Sequence, residues 1–101
     1  MDINSRITDT TGYLTLSGRF DFSAHRNFRT ATDEVINNPK VKALDLDLGQ
    51  VNYIDSSALG MLLLLNERCK AAGKAVVLSN CQGTVRQVLE VAHLNRVFSL
   101  Q

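Results

Sequence analysis

Apolar and polar residues alternate over Ile3 to Ile7 and again over Tyr13 to Ser17, with Asp9, Thr10, Thr11 and Gly12 between the two stretches. A period of two interrupted by turn-forming residues predicts a hairpin of two strands, after which the chain turns at Gly18. From Ser23 to Asn37 the period changes. Ala24, Phe28, Ala31 and Val35 recur at helical spacing, which builds one buried stripe on a helix. Asn37, Asn38 and the only proline, Pro39, end it. Lys42 to Leu48 reads as a strand with Leu44, Leu46 and Leu48 on one face and Ala43, Asp45 and Asp47 on the other.

A short loop through Asn52 and Tyr53 then leads to Asp55 and Ser56, which open a second helix running to about Ala72 and closing at Gly73. Its first half is so rich in leucine that most of its circumference is expected to be buried there, whereas Asn66, Glu67, Arg68 and Lys70 must meet water. Ala75 to Leu78 reads as a short strand, Thr84 to Ala92 as a helix with Val85, Val88, Leu89 and Ala92 on one side, and Val97 to Leu100 as a last strand. The order ββαβαβαβ implies an α/β fold with right-handed crossovers. Its mixed, mostly parallel sheet carries about three helices, and the first strand is antiparallel through its hairpin. No repeat, linker or low-complexity segment divides the chain, so residues 1–101 are expected to form one domain.

Length supports this, since 101 residues with 45% hydrophobic content suffice for one core and not for two. The functional site is therefore sought on one surface, not in a cleft between domains. Eleven Lys and Arg against ten Asp and Glu, with no run of either sign, argue against nucleic acid or an anionic membrane as partner. The longest purely apolar run, Met61 to Leu65, is far short of the roughly 20 residues that cross a bilayer. The N-terminus shows no basic-then-apolar leader, and a cytoplasmic protein is expected. Cys69 and Cys81 form no CxxC pair and have no histidine at ligand spacing, so neither a metal nor any other cofactor is anticipated.

The chemistry-bearing segment is Asp55-Ser56-Ser57-Ala58-Leu59-Gly60, where a buried strand has ended and the leucine-rich helix begins. Free backbone N–H groups and the positive end of the helix dipole make such a terminus a favourable seat for an anion, including a phosphate carried by a serine. The same residues also fit a plain N-cap by Asp55 or Ser56. Gly60 adds a hint. In the first turns of a helix it costs close to 1 kcal/mol relative to alanine unless a backbone or a partner approaches closely there; tight packing on the sheet is the other explanation.

The six residues resemble the D-S-S-G-L-G signature of anti-sigma factor antagonists, single-domain members of the STAS family. Gly18-Arg19-Phe20-Asp21 is similar to that family's G-x-L-D segment, and Leu46-Asp47-Leu48 followed by Val51 to its strand before the phosphosite. Val88-Leu89-Glu90 through Leu94, Asn95, Arg96, Val97 and Phe98 resembles its closing helix and strand. Two departures stand out: Ala58 replaces the usual glycine, and the sequence ends at Gln101 without the final helix many members carry.

The resemblance implies that Ser56 is a phosphate acceptor. Unphosphorylated, such a protein binds a cytoplasmic anti-sigma factor that is also an ATP-dependent serine kinase, and so frees the sigma factor; phosphorylation ends the complex. A PP2C-type phosphatase resets the switch. The chain would be substrate and ligand and not an enzyme, and is expected to be a monomer. By analogy Asp21 lies beside Asp55 and Ser56, with capping of the first helix as its other role. Ser23 is either that helix's N-cap or a partner contact, Met61 either an interface anchor or core, and Ser57, Ala58 and Gly60 belong to the surroundings of the phosphosite.

Other functions fit less well. Asp45-Leu46-Asp47 at a strand end has the D-x-D pattern of aspartyl-phosphate phosphatases, but Leu48 and Gly49 spoil the motif. Ser56 lies in no G-x-S-x-G elbow, His25 and His93 have no context for a base, and Gly73-Lys74 is followed by Ala75, which excludes a P-loop. The serious alternatives are a STAS domain serving as an unphosphorylated subunit, for example on a membrane lipid transporter, and a switch acting on a client other than an anti-sigma factor.

Overall fold

A computed structural model describes residues 1–101. Five strands form one sheet in the order β1-β2-β3-β4-β5: β1 Asp2–Thr8, β2 Thr11–Phe20, β3 Ala43–Ile54, β4 Ala75–Ser79 and β5 Ser99–Leu100. The first pair is an antiparallel hairpin and every later pair is parallel. Three helices fill the crossovers: α1 His25–Ile36, α2 Ser56–Ala71 and α3 Gly83–Val91. Each crossover steps the sheet in the same direction, so right-handed connections put all three helices on one face. The single α/β domain and the expected element order are both present.

The leucine face of β3 meets those helices. Leu44, Leu46 and Leu48 are buried with Leu14, Leu16 and Phe20 of β2, Phe28 and Val35 of α1, Leu62 and Leu65 of α2, and Leu89 of α3. Residues of the opposite parity, Tyr13, Thr15, Asp45, Asp47 and Ser79, form a polar, half-buried face without helices. There the Ser79 hydroxyl donates to Asp45 at 2.5 Å and the Gly49 N–H to Asp47 at 2.8 Å. These aspartates are sheet-face polar groups. Cys69 and Cys81 are buried, unbridged thiols whose pKa values burial pushes up.

The strands leading to the chemistry-bearing segment are longer than the pattern indicates. β2 passes through Gly18, which adopts φ +97° at a register shift against β3, and continues to Phe20. The expected turn at Gly18 is thus a register shift inside a continuous strand: Gly18 pairs with Val51 in a positive-φ conformation that glycine adopts without steric cost, and the extra residue, Asn52, lies on β3. β3 likewise absorbs Asn52 and Tyr53 and ends at Ile54. These two residues are exposed, Asn52 unpaired at the register shift and Tyr53 paired with Arg19, so the period of two fails there while the strand continues. The first helix begins as a 3-10 turn over Phe22–Ala24, and the last strand shrinks to Ser99–Leu100 behind a 3-10 turn at Leu94–Arg96.

Candidate functional site

Parallel pairing of β2 and β3 ends on Phe20 opposite Ile54. The next residues, Asp21 and Asp55, therefore emerge side by side at one end of the sheet, joined by a hydrogen bond from the Asp55 N–H to the Phe20 carbonyl at 3.3 Å. Each aspartate then caps the helical turn that begins just after it. Asp21 accepts from the Ser23 N–H at 3.0 Å and the Ser23 hydroxyl at 2.5 Å, and pairs with Arg19 at 3.4 Å. These bonds, the Ser23 hydroxyl foremost, hold its carboxyl below the usual carboxylate range. Arg19 also lies over the Tyr53 ring, 3.9 Å from its centroid, a favourable cation–π geometry.

Asp55 is the N-cap of α2. Its backbone is extended, and its Oδ1 accepts from the Ala58 N–H at 3.0 Å while its carbonyl accepts from the Leu59 N–H at 3.1 Å. Ser56 is the first residue of the helix and is exposed. The capping role therefore falls to Asp55, and Ser56 is left exposed and free of it beside the positive end of a 16-residue helix. The N–H groups of Ser56 and Ser57 are the donors at that terminus that the cap does not use.

Outward from Ser56 the surface is apolar. Ser57, Gly60, Met61 and Leu64 of α2, with Phe22 and His25, line an open groove of about 280 Å³ on the α1 side. On the α3 side, Leu59, Val88 and Val91 line a second of about 290 Å³. Phe22 is 73% exposed and Leu63 and Leu64 are 41% and 45% exposed, so the expectation that most of the circumference of α2 is buried in its leucine-rich half is corrected. The sheet and the flanking helices take only Ala58, Met61, Leu62, Leu65 and Cys69. Met61–Leu65 is an unbroken apolar run, and at 3.6 residues per turn such a run goes right round a helix. A helix lying on one sheet cannot bury all of it.

Among the residues singled out in the sequence, Asp21, Ser23, Asp55, Ser56, Ser57 and Gly60 gather at this end of the sheet. Met61 is core, 8% exposed, although its edge reaches the groove. Ala58 is fully buried, so the methyl group that distinguishes it from glycine faces the interior and is absent from the outer surface. A Cβ on Gly60 would meet nothing within 4 Å, which removes internal packing as the reason for a glycine there. Arg19, Tyr53, Phe22, Leu63 and Leu64 were not anticipated as part of this surface. The signal for the leucines was available in the unbroken run itself.

A family model described as Mlab, STAS domain matches residues 3–101. The chain belongs to the STAS domain family. A STAS-domain containing protein of Pseudomonas aeruginosa (strain UCBPP-PA14) is 38% identical over 87 residues, which cover 86% of this chain and 84% of that protein. Among solved structures, this STAS domain superposes on the anti-sigma factor antagonist SpoIIAA in its unphosphorylated form with TM-score 0.82 and 22% identity, over 99% of this chain and 88% of that one. It also matches the STAS domain of a SulP transporter from Vibrio cholerae, with TM-score 0.66 and 24% identity over 84% and 64% of the two chains. At such identities the likeness to both structures is one of fold.

Proposed function

We propose that this STAS domain is an anti-sigma factor antagonist that works by partner switching, with Ser56 as its phosphorylation site. The observation that carries the reading is that Asp55 fills the cap of α2 and leaves the exposed Ser56 hydroxyl without a capping role. Unphosphorylated, the surface around Ser56, Ser57, Gly60, Asp21 and Ser23 docks on an anti-sigma factor with serine kinase activity, which releases its sigma factor. Phosphorylation adds about 1.5 to 2 negative charges beside Asp55 and within the docked surface. A strongly hydrated group there resists burial, and a penalty of about 3 kcal/mol weakens binding roughly a hundredfold. The N-terminus of α2 tolerates the same charge, so the complex is lost while the fold is kept. ATP belongs to the kinase, a PP2C-type phosphatase resets the serine, and the domain acts in the cytoplasm as a monomer without cofactor.

A second reading rests on the exposed apolar face of α2, which suits permanent docking as well as switching. In it the domain is a subunit, for example of a membrane lipid-transport complex, and Ser56 is only a surface residue. The two readings separate on one experiment. Ser56→Ala and Ser56→Asp forms are immobilised, exposed to native lysate, and the retained proteins identified by mass spectrometry, with phosphate mapped on the untreated protein. A kinase-type anti-sigma factor held by the alanine form and lost from the aspartate form supports switching. The same partner held equally by both, with no phosphate on Ser56, sinks it.

A further inference from the structure

The groove between α1 and α2 continues away from Ser57 and Gly60 into a narrow niche of about 20 Å³, lined by His25, Phe28, Arg29, Met61, Leu64 and Arg68. Groove and niche share His25, Met61 and Leu64, so they form one path along α2. The charges along it are unbalanced. Arg29 and Arg68 both pair with a single carboxylate, Asp33. A guanidinium carries five N–H donors, and one carboxylate cannot satisfy two of them. Arg68 is the more enclosed of the pair; burial and the neighbouring Arg29 charge both lower its pKa, in the manner of a cation short of counter-charge. Deeper in, the walls are apolar, and beyond them stand the exposed rings of Phe22 and His25, stacked at 6.1 Å. Nothing in the chain fills the space over Gly60.

We propose that this path is a docking channel for an acidic-apolar segment of a partner protein, in which an aspartate or glutamate side chain of the partner meets Arg29 and Arg68 while an apolar side chain one helical turn away packs over Gly60 between Phe22 and Leu64. The proposal rests on the reading that a partner covers the Ser56 end of α2, and adds to it the chemistry of the segment that does so. The charge balance selects the occupant. A basic segment would face two guanidiniums and a histidine, and a purely apolar one would leave the spare donors of Arg68 buried without a partner, an uncompensated cost. A carboxylate accepts from a guanidinium in a two-point fork, and the apolar stretch beside it accommodates the partner's next turn. Phosphate on Ser56 acts at the far end of this channel, so charge attracts the partner at one end and repels it at the other.

The test uses a photo-crosslinking side chain, p-benzoylphenylalanine, introduced at Leu63, which flanks the groove without lining it. A second copy of the protein carries it at Thr15 on the helix-free sheet face as a control. Both are irradiated in cells, in Ser56→Ala and Ser56→Asp backgrounds, and the crosslinked peptide is sequenced. The expected product at Leu63 is a partner peptide with Asp or Glu three or four residues from Leu, Met or Phe, with its yield down at least tenfold in Arg29→Glu and in Arg68→Glu, and no such product at Thr15. Arg29 is half-exposed, so the first variant reports on docking even where the second perturbs folding, and a thermal melt checks both. A basic or uncharged peptide, a second copy of this chain, or a yield indifferent to both reversals overturns the proposal. If the Ser56→Ala form captures a partner that the Ser56→Asp form releases, yet Leu63 gives no acidic crosslink, the channel is wrong and the switch stands. An acidic crosslink of equal yield in both Ser56 forms leaves the channel standing and removes the switch.

Discussion

The N–H of Asp55 donates to the carbonyl of Phe20 at 3.3 Å, and this bond between adjacent parallel strand ends brings Asp21 and Asp55 to one rim of the sheet. Two aspartates thus carry out the local capping, one for the 3-10 turn and one for α2, and the serine between Asp55 and Ser57 is released from structural duty. A division of labour of this kind makes separate predictions for residues that are neighbours in sequence.

Asp55→Ala should destabilise the fold by about 1 kcal/mol, the usual cost of an N-cap side chain, because it removes the acceptor for the Ala58 N–H. Ser56→Ala should cost almost nothing. Urea denaturation of the two variants measures the difference directly, and equal losses would show that Ser56 shares the cap after all.

Ser56→Asp should separate stability from binding. A negative charge in the first turn of α2 is worth about 0.3–1 kcal/mol in favour of the helix, so the melting temperature should hold or rise slightly. Affinity for the partner should fall about tenfold or more, since aspartate carries less charge than phosphate. Calorimetric titration beside a thermal melt reads both quantities. A drop in melting temperature of several degrees would mean that the loss of binding came through the fold.

Asp21 offers a pH signature. The Ser23 hydroxyl, the Ser23 N–H and Arg19 hold its carboxyl below the ordinary range, so the folded pKa lies beneath the unfolded one. The sign follows from linkage: the stabilisation is present above the unfolded value and is lost as pH falls through the folded value. Carboxyl chemical shifts followed by NMR should show Asp21 titrating lower than a free aspartate, and Ser23→Ala should move it back up. Because the carboxyl is only half-buried and bonds only to Arg19 and Ser23 of its own loop, the readout is the local loop and not global unfolding.

How far the sequence reaches is visible in α2. Its start at Asp55 and Ser56, its stop before Gly73, and the buried Leu62 and Leu65 all follow from periodicity and capping. The outward leucines follow only in part: the unbroken run Met61–Leu65 must go right round the helix, but a pattern of apolar residues reports what prefers burial and is silent on which side the fold leaves uncovered. Gly18 and the Asn52–Tyr53 stretch fail for a different reason: the register shift there leaves Asn52 unpaired and breaks the side-chain alternation, yet pairing resumes at Tyr53 and the strands run on. Pairing across strands, and with it the meeting of Asp21 and Asp55, is long-range information that local spacing does not carry. Resemblance supplied it instead.

Gly60 gives the sharpest contrast between what the isolated domain prefers and what the proposed function requires. A Cβ at this position meets nothing, and alanine is favoured over glycine inside a helix by about 0.8–1 kcal/mol. Gly60→Ala should therefore stabilise the free protein by about that amount, whereas the same change at Gly12, whose Cβ would collide with the Val35 side chain, should destabilise it. If a partner's segment lies against α2 here, even the alanine methyl should weaken binding several-fold, and Gly60→Lys should abolish it without lowering the melting temperature, since lysine is also a better helix former than glycine. Denaturation and binding measured on the same three variants check this. A stabilised Gly60→Ala protein with unaltered affinity for the partner would show that the glycine serves neither packing nor docking, and that the partner surface lies elsewhere.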